Sequence, residues 1–292
     1  MSSSAPNAAS SAGQHADLAQ KRVLEDSAAA NGSPGSSAPQ QEAKRKKPLP
    51  PAPAIVGKGS DFTQEVWQNA ALLVDKPKGW TSFDVCAKLR GALKTKKIGH
   101  AGTLDPMATG LLIICTGKGT KAIDGFVAME KAYSGTLRLG QTTPSYDAET
   151  DVLESLPWDH ITDEDLEVAK RGLIGPIMQQ PPMYSAVSIK GERLYKAARR
   201  GEEVERPARP VTVHSFDLQR SAASTEDLDF RISCSKGTYI RSLAHDLGQS
   251  LRCGAHLTAL RRESIGEHDV SNAWSLAELV EAAQTARSAE LL

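Results

Sequence analysis

Almost no large apolar residue precedes Ile55 in this 292-residue chain, and Ser, Ala, Gly, Pro and Gln dominate up to about residue 69. A segment so poor in large hydrophobic side chains cannot bury enough surface to offset the entropy of ordering it. Folding is therefore expected to be confined to residues 70–292, with residues 1–69 forming a disordered low-complexity tail. The run Lys44-Arg45-Lys46-Lys47 before Pro48 fits three readings: a nuclear address, a patch that touches RNA, or a solvated charge cluster in a linker. A Ser/Ala-rich start also suits an organellar transit peptide, but Asp17, Glu25 and Asp26 weigh against it.

From Ala70 the pattern is that of a packed domain. Ala71 to Asp75 reads as a short strand closed by the turn sequence Lys76-Pro77-Lys78-Gly79. Ser82 is expected to cap a helix with Phe83, Ala87, Leu89 and Leu93 on roughly one face. Leu111 to Cys115 reads as a buried strand, and Tyr133 to Leu139 alternates with Gly135 interrupting. Residues 162–173 read as a helix opened by Thr162, with acidic side chains in its first turn. Thr238 to Leu251 reads as another, because Ile240, Leu243, Leu247 and Leu251 recur at helical spacing. Val211 to Leu218 and Phe230 to Cys234 mark further strands, and Leu276 to Ala283 a last amphipathic helix. Grouped strands without regular strand–helix alternation predict an α+β fold rather than a doubly wound parallel sheet.

The 35 basic and 35 acidic side chains cancel, so the molecule as a whole is not a general polyanion binder, although a local basic face is allowed. No run approaches the roughly 18–20 apolar residues of a membrane span. Cys86, Cys115, Cys234 and Cys253 stand far apart with no Cys-x-x-Cys and no histidine at ligand spacing. Neither a zinc site nor a secreted disulfide framework is suggested, and a reducing intracellular compartment is expected. Gly117-Lys118-Gly119-Thr120-Lys121 lacks phosphate-loop spacing, so neither ATP nor NAD is expected.

Chemistry concentrates around Lys97 to Gly110, where three glycines flank the Asp105-Pro106 pair. Asp followed by Pro also describes a helix start, with Asp as cap, but Gly110 and the apolar run behind it would limit such a helix to about one turn. Nine basic against three acidic residues lie between Asp75 and Lys121, a local excess suited to a phosphate backbone. Tyr133 follows Lys131 at a strand start, and Arg241 opens the clearest helix between Ile240 and Leu243. A guanidinium partly buried there would need a carboxylate, for which Asp105 is one candidate.

Together, these segments resemble the TruB-type tRNA pseudouridine synthases. The resemblance runs from about Leu72 to Ala283 and rests on Leu72-Leu73-Val74-Asp75-Lys76-Pro77-Lys78-Gly79-Trp80-Thr81-Ser82, Gly99-His100-Ala101-Gly102-Thr103-Leu104-Asp105-Pro106 and Lys131-Ala132-Tyr133. It continues through Gln180-Pro181-Pro182-Met183-Tyr184-Ser185-Ala186, Gly191 to Tyr195, Arg209-Pro210-Val211, Gly237-Thr238-Tyr239-Ile240-Arg241 and Leu260-Arg261-Arg262. It implies a pseudouridine synthase fold, with a mixed, mainly antiparallel central sheet flanked by helices and loops.

The implied activity is conversion of uridine to pseudouridine in tRNA, usually at uridine 55 of the T arm, without metal or cofactor. By the same resemblance Asp105 is the nucleophile, Arg241 its ionic partner, and Tyr133 the ring that stacks on the extruded uracil and serves as base at C5. Leu260 walls the pocket, His100 fills the place of the flipped nucleotide, Asp147 is an active-site carboxylate, and Tyr184 contacts substrate. Lys76, Lys94, Lys96, Lys97, Arg199 and Arg200 are assigned to the RNA backbone. The expected partner is tRNA, with messenger RNA left open, no membrane, no nucleotide cofactor and a monomer as the working unit. Plastid, mitochondrion and nucleus stay open as compartments. The stretch Thr142 to Thr150 departs from the family pattern by lacking a closing glycine, and the chain is expected to carry no C-terminal PUA-type domain. Two rival readings are an RNA-binding or RNA-folding module without catalysis, and a sugar hydrolase using Asp105 and Asp147; the basic excess disfavours the second.

Overall fold

The computed structural model describes residues 52–189 and 191–289, all within one compact unit. Its centre is a mixed sheet built from β1 (Ala54–Val56), β2 (Ala70–Lys76), β3 (Ile98–His100), β4 (Thr109–Thr116), β5 (Lys131–Leu139), β6 (Gly175–Gln179), β7 (Arg209–Arg220), β8 (Asp227–Cys234) and β9 (Ala255–Ile265). The order across it is β1-β2-β4-β9-β5-β8-β7-β6. β1 runs parallel to β2 and β9 parallel to β4, while the other pairings along this path are antiparallel.

Alternation along β2 and β4 sorts their side chains between two cores. Leu72, Val74, Leu112 and Ile114 face one cluster, and Ala71, Leu73, Leu111 and Ile113 the other, so both strands read as nearly unbroken apolar runs. Helix α1 (Gln64–Trp67) is a single turn, and α2 (Ser82–Leu93) lays Val85, Leu89 and Leu93 on the first cluster. A short helix α3 (Ile123–Ala128) precedes β5, α4 (Asp163–Arg171) is held by a Thr162/Asp165 capping box, and α5 (Leu194–Arg199) follows a small hairpin. Helix α6 (Ile240–Ser250) packs on β9 through Leu243 and Leu247, and α7 (Leu276–Ala289) lies against α2. No helix of the described residues is long and apolar enough to cross a membrane.

Two expectations are corrected here. Order begins well before residue 70: β1 pairs with Ala70 to Leu72, and Trp67 is 2% exposed with the Phe62 ring 5.0 Å away. A few large apolar residues suffice once an existing strand offers an edge, which average composition over a 69-residue window does not register. Residues 1–51, with the basic run at 44–47, lie outside the described residues. The cap of α2 is Thr81, not Ser82: Asp84 N donates to Thr81 Oγ1 at 3.1 Å and Thr81 N to Asp84 Oδ2 at 3.0 Å. Ser82 is thereby released for another contact.

The site lies where the sheet opens. β9 pairs with β4 only across Arg261–Thr109 and Arg262–Gly110, and beyond that point β3 takes over the same edge of β4. Gly110 makes this junction possible, since its φ is +100° and a Cβ there would stand 2.3 Å from the Arg262 carbonyl oxygen. The connection from β3 to β4, residues 101–108, crosses the opening and carries Asp105.

Candidate active site

Asp105 occupies a loop fixed on both sides. Ser82, at the first turn of α2, accepts from Leu104 N at 2.9 Å and donates to Leu104 O at 3.1 Å. On the other side, Gly79 N donates to Pro106 O at 2.8 Å. The Lys76 ammonium reaches three carbonyls, those of Trp80 at 2.6 Å, Pro77 at 3.1 Å and Pro106 at 3.4 Å. No helix forms at Asp105-Pro106; Ala108 N closes a tight turn on Asp105 O.

The carboxylate meets Arg241 from the first turn of α6, with Nε 2.9 Å from Asp105 Oδ2 and 3.5 Å from Asp147 Oδ2. Nη1 donates to Ser145 O and Nη2 to Tyr184 O, each at 2.8 Å, so the guanidinium is held by two carboxylates and two carbonyls. About a third of the Asp105 side chain (34%) reaches solvent, whereas Arg241 (4%) and Asp147 (1%) are enclosed. Burial pushes the Asp105 carboxyl up from its ordinary range, Arg241 pulls it back and Asp147 pushes it up again. Asp147 accepts from Ser145 Oγ at 2.5 Å and from Glu149 N at 3.0 Å. Within this stretch Tyr146 takes φ +64° and stacks on His245 of α6 with ring centroids 3.9 Å apart.

Asp105 and Arg241 stand between two hollows. One, of about 270 Å³, is also walled by Tyr133, Leu260, Lys131, Tyr239 and Arg262. The half-buried Tyr133 ring comes from β5, and Leu260 faces Gly135 across the β5–β9 ladder. Gly135 cannot be replaced cheaply, because a Cβ would lie 2.2 Å from the Ala259 carbonyl oxygen at a bulge of β9. The second hollow is an open groove of about 700 Å³ that passes Phe83, His100, Asp147, Tyr184, Arg193 and Arg199. Burial and nearby Arg262 push the His100 imidazole down, so the ring is neutral at pH 7.

A family model described as the TruB family pseudouridylate synthase N-terminal domain matches residues 90–240, and one described as the tRNA pseudouridylate synthase B C-terminal domain matches residues 241–292. The chain belongs to the TruB family. Among its relatives, a tRNA pseudouridine synthase B of Flavobacterium johnsoniae is 48% identical over 217 residues, 72% of this chain and 94% of that one. Its counterpart in Opitutus terrae is 50% identical over 208 residues, covering 71% of this chain and 86% of the relative. A chain in the crystal structure of a Cbf5–Nop10–Gar1 complex superposes with a TM-score of 0.57 at 26% identity, covering 77% of this chain and 60% of that chain. The TruB models divide at Arg241, yet β9 from the second segment lies between β4 and β5 of the first, so both contribute to one sheet.

Of the residues singled out in the sequence, Asp105, Tyr133, Arg241 and Leu260 meet in one cavity, and His100, Asp147 and Tyr184 border the adjoining groove with Asp105 and Arg241. Lys76 is not an RNA-backbone contact. It is 0% exposed, and burial pushes its ammonium down to about 8; its work is to fix the loop that presents Asp105. Tyr184 borders the groove, and its main-chain carbonyl accepts from Arg241. Lys94, Lys96 and Lys97 are exposed after α2 and line neither hollow. Arg199 borders the groove, with its guanidinium 5.5 Å from the Tyr195 ring centre, whereas Arg200 is engaged by Glu192 and Glu202. The sequence pointed to no part in the site for Ser82, which was expected only as a helix cap, nor for Lys131, Ser145, Tyr239 or Arg262. The basic pair after Leu260 was the available signal for Arg262, but nothing in it distinguishes the enclosed Arg262 (1% exposed) from Arg261, which pairs with Asp75 at the surface.

Proposed function

We propose that this chain converts uridine to pseudouridine in tRNA, at uridine 55 of the T arm, with Asp105 as the nucleophile. The support is the placement of the Asp105–Arg241 pair in the wall of a cavity of about 270 Å³, room enough for a pyrimidine, that Tyr133 and Leu260 also line. The reaction breaks the bond from ribose C1′ to uracil N1, turns the base and joins C5 to C1′; C5 loses a proton and N1 gains one. Asp105, whose charged form Arg241 favours, attacks C1′ or C6, or takes a ribose proton on a glycal route; all three use its carboxylate. Tyr133 stacks on the everted base and takes the C5 proton. Leu260 keeps water away from the detached ring, and His100 occupies the space the nucleotide leaves.

The groove beside the pocket, with Arg193, Arg199 and an exposed Phe83, suits a folded RNA arm recognised by shape, phosphate and stacking. Asp105→Asn, tested on a tRNA transcript, is expected to bind the transcript about as well as the unaltered protein and to form no pseudouridine. Product formation by that variant would refute the nucleophile assignment. Tight binding with no product from the unaltered chain would favour the RNA-binding module.

A further inference from the structure

Arg262 stands in the cavity without a part in the reaction as described above. It is 1% exposed, and its fixed partners are neutral: Nε donates to Leu111 O at 2.7 Å and Nη2 to Gly102 O at 3.1 Å. Arg138, Arg220, Arg241 and Arg261 each have a carboxylate; among the described residues Arg262 has none. The titratable groups that feel its charge include Lys76, Lys131 and His100, none of which offsets it. Enclosing a guanidinium without a counter-charge is costly, and the cost is recovered where an anion forms beside it.

One group next to it can become an anion. Tyr133 is the residue directly opposite Arg262 in the β5–β9 ladder, and both side chains line the cavity. Two of the five guanidinium N–H directions are taken by the carbonyls, leaving others for the phenol oxygen. The remaining groups facing Tyr133 are the Asp105 carboxyl from the loop and the Cys234 thiol from β8. Burial pushes the phenol above its ordinary value, and the Arg262 charge is the largest influence opposing that rise. A phenol so placed needs a fixed cation if it is to act as a base.

We propose that Arg262 is the positioning residue and counter-ion of Tyr133, aiming the phenol oxygen at uracil C5 and stabilising it as phenolate while it takes the C5 proton. This deepens the proposed function and rests on it. The phenol proton leaves to solvent through the cavity mouth, the phenolate accepts the proton from C5, and N1, released from the ribose, takes a proton from solvent. No electron is gained or lost, and Arg262 stays protonated throughout.

The test uses the folded protein with its five tyrosines labelled with carbon-13 at Cζ, Tyr133 being assigned by its loss in Tyr133→Phe. Arg262→Gln is expected to raise the Tyr133 titration midpoint by about one pH unit or more, a tenfold change in proton affinity, and Arg262→Lys by less. On a tRNA transcript deuterated at uracil C5, the Gln variant is expected to lose about tenfold or more in kcat while KM stays within about threefold. Its C5 isotope effect should rise, with partial recovery in the Lys variant. An unmoved midpoint, or slower turnover with an unchanged isotope effect, overturns the proposal in favour of a purely structural Arg262. Should the Gln variant fail to fold, Arg262→Lys is decisive, since its shorter reach must still move both the midpoint and the isotope effect. If the unaltered chain converts no uridine at all, the proposed function fails, whereas the RNA-free titration still reports on the Arg262–Tyr133 pair.

Discussion

At Asp105, function and stability pull in opposite directions. A carboxyl pushed up in the folded state favours folding while it is protonated, below its unfolded value, and that contribution is lost as pH rises through the folded value. At neutral pH the ionised form is therefore a burden on the fold. Asp105→Asn is expected to raise Tm at pH 7 while abolishing turnover, as read by thermal melts beside a pseudouridine assay. The same shift places the acid limb of activity above the ordinary aspartate range. Asp147→Asn removes one upward push, so that limb should move to lower pH. Lys76 gives a contrasting expectation. Because it holds the carbonyls of Pro77, Trp80 and Pro106, Lys76→Met should lower kcat with little change in tRNA affinity or its salt dependence. A side chain bound to phosphate would do the reverse.

Two elements place these residues, and each has a weak point that can be probed. Helix α2 presents Ser82 to the Asp105 loop, and its first turn depends on the Thr81/Asp84 box. Thr81→Ala should cost about 1 kcal/mol in denaturant unfolding and reduce activity through the loop it supports. The β4–β9 junction depends on Gly110. Gly110→Ala forces a left-handed residue, costing about 1–3 kcal/mol, and drives a methyl group into the Arg262 backbone. The expected outcome is a lower Tm together with a fall in turnover larger than the drop in stability explains. Unchanged activity in that variant would mean the junction does not position the site.

Over the whole molecule, charge separates affinity from chemistry. The chain is neutral overall, so tRNA affinity must come from local faces such as the exposed lysines after α2 and the arginines along the groove. Replacing Lys94, Lys96 and Lys97 with Ala should weaken binding across RNA sequences alike and flatten the plot of log affinity against log salt by about 0.7–0.9 for each phosphate left without its lysine. The rate of single-turnover conversion at saturating protein should be unaltered, because none of the three reaches the cavity. Lower single-turnover rates in that triple variant would place these lysines in the chemistry after all.

The sequence by itself determined the local parts of this protein. The apolar runs of β2 and β4, the acidic start of α4, the helical spacing of Ile240, Leu243 and Leu247, and the need of Arg241 for a carboxylate were all legible, because each depends on residues a few positions apart. The motif pattern named Asp105, Tyr133 and Arg241 together, but it could not measure the 2.9 Å between charges 136 positions apart. Tertiary structure alone decided that β9, an eleven-residue strand with mixed polar composition, runs through the middle of the sheet. It also drew Ile55 and Trp67 into the fold and sorted two adjacent arginines, Arg261 outward and Arg262 inward. Burial is a property of what packs against a residue. The same ammonium or guanidinium reads as a surface charge in the chain and as an internal brace or counter-ion once carbonyls and an aromatic ring close around it.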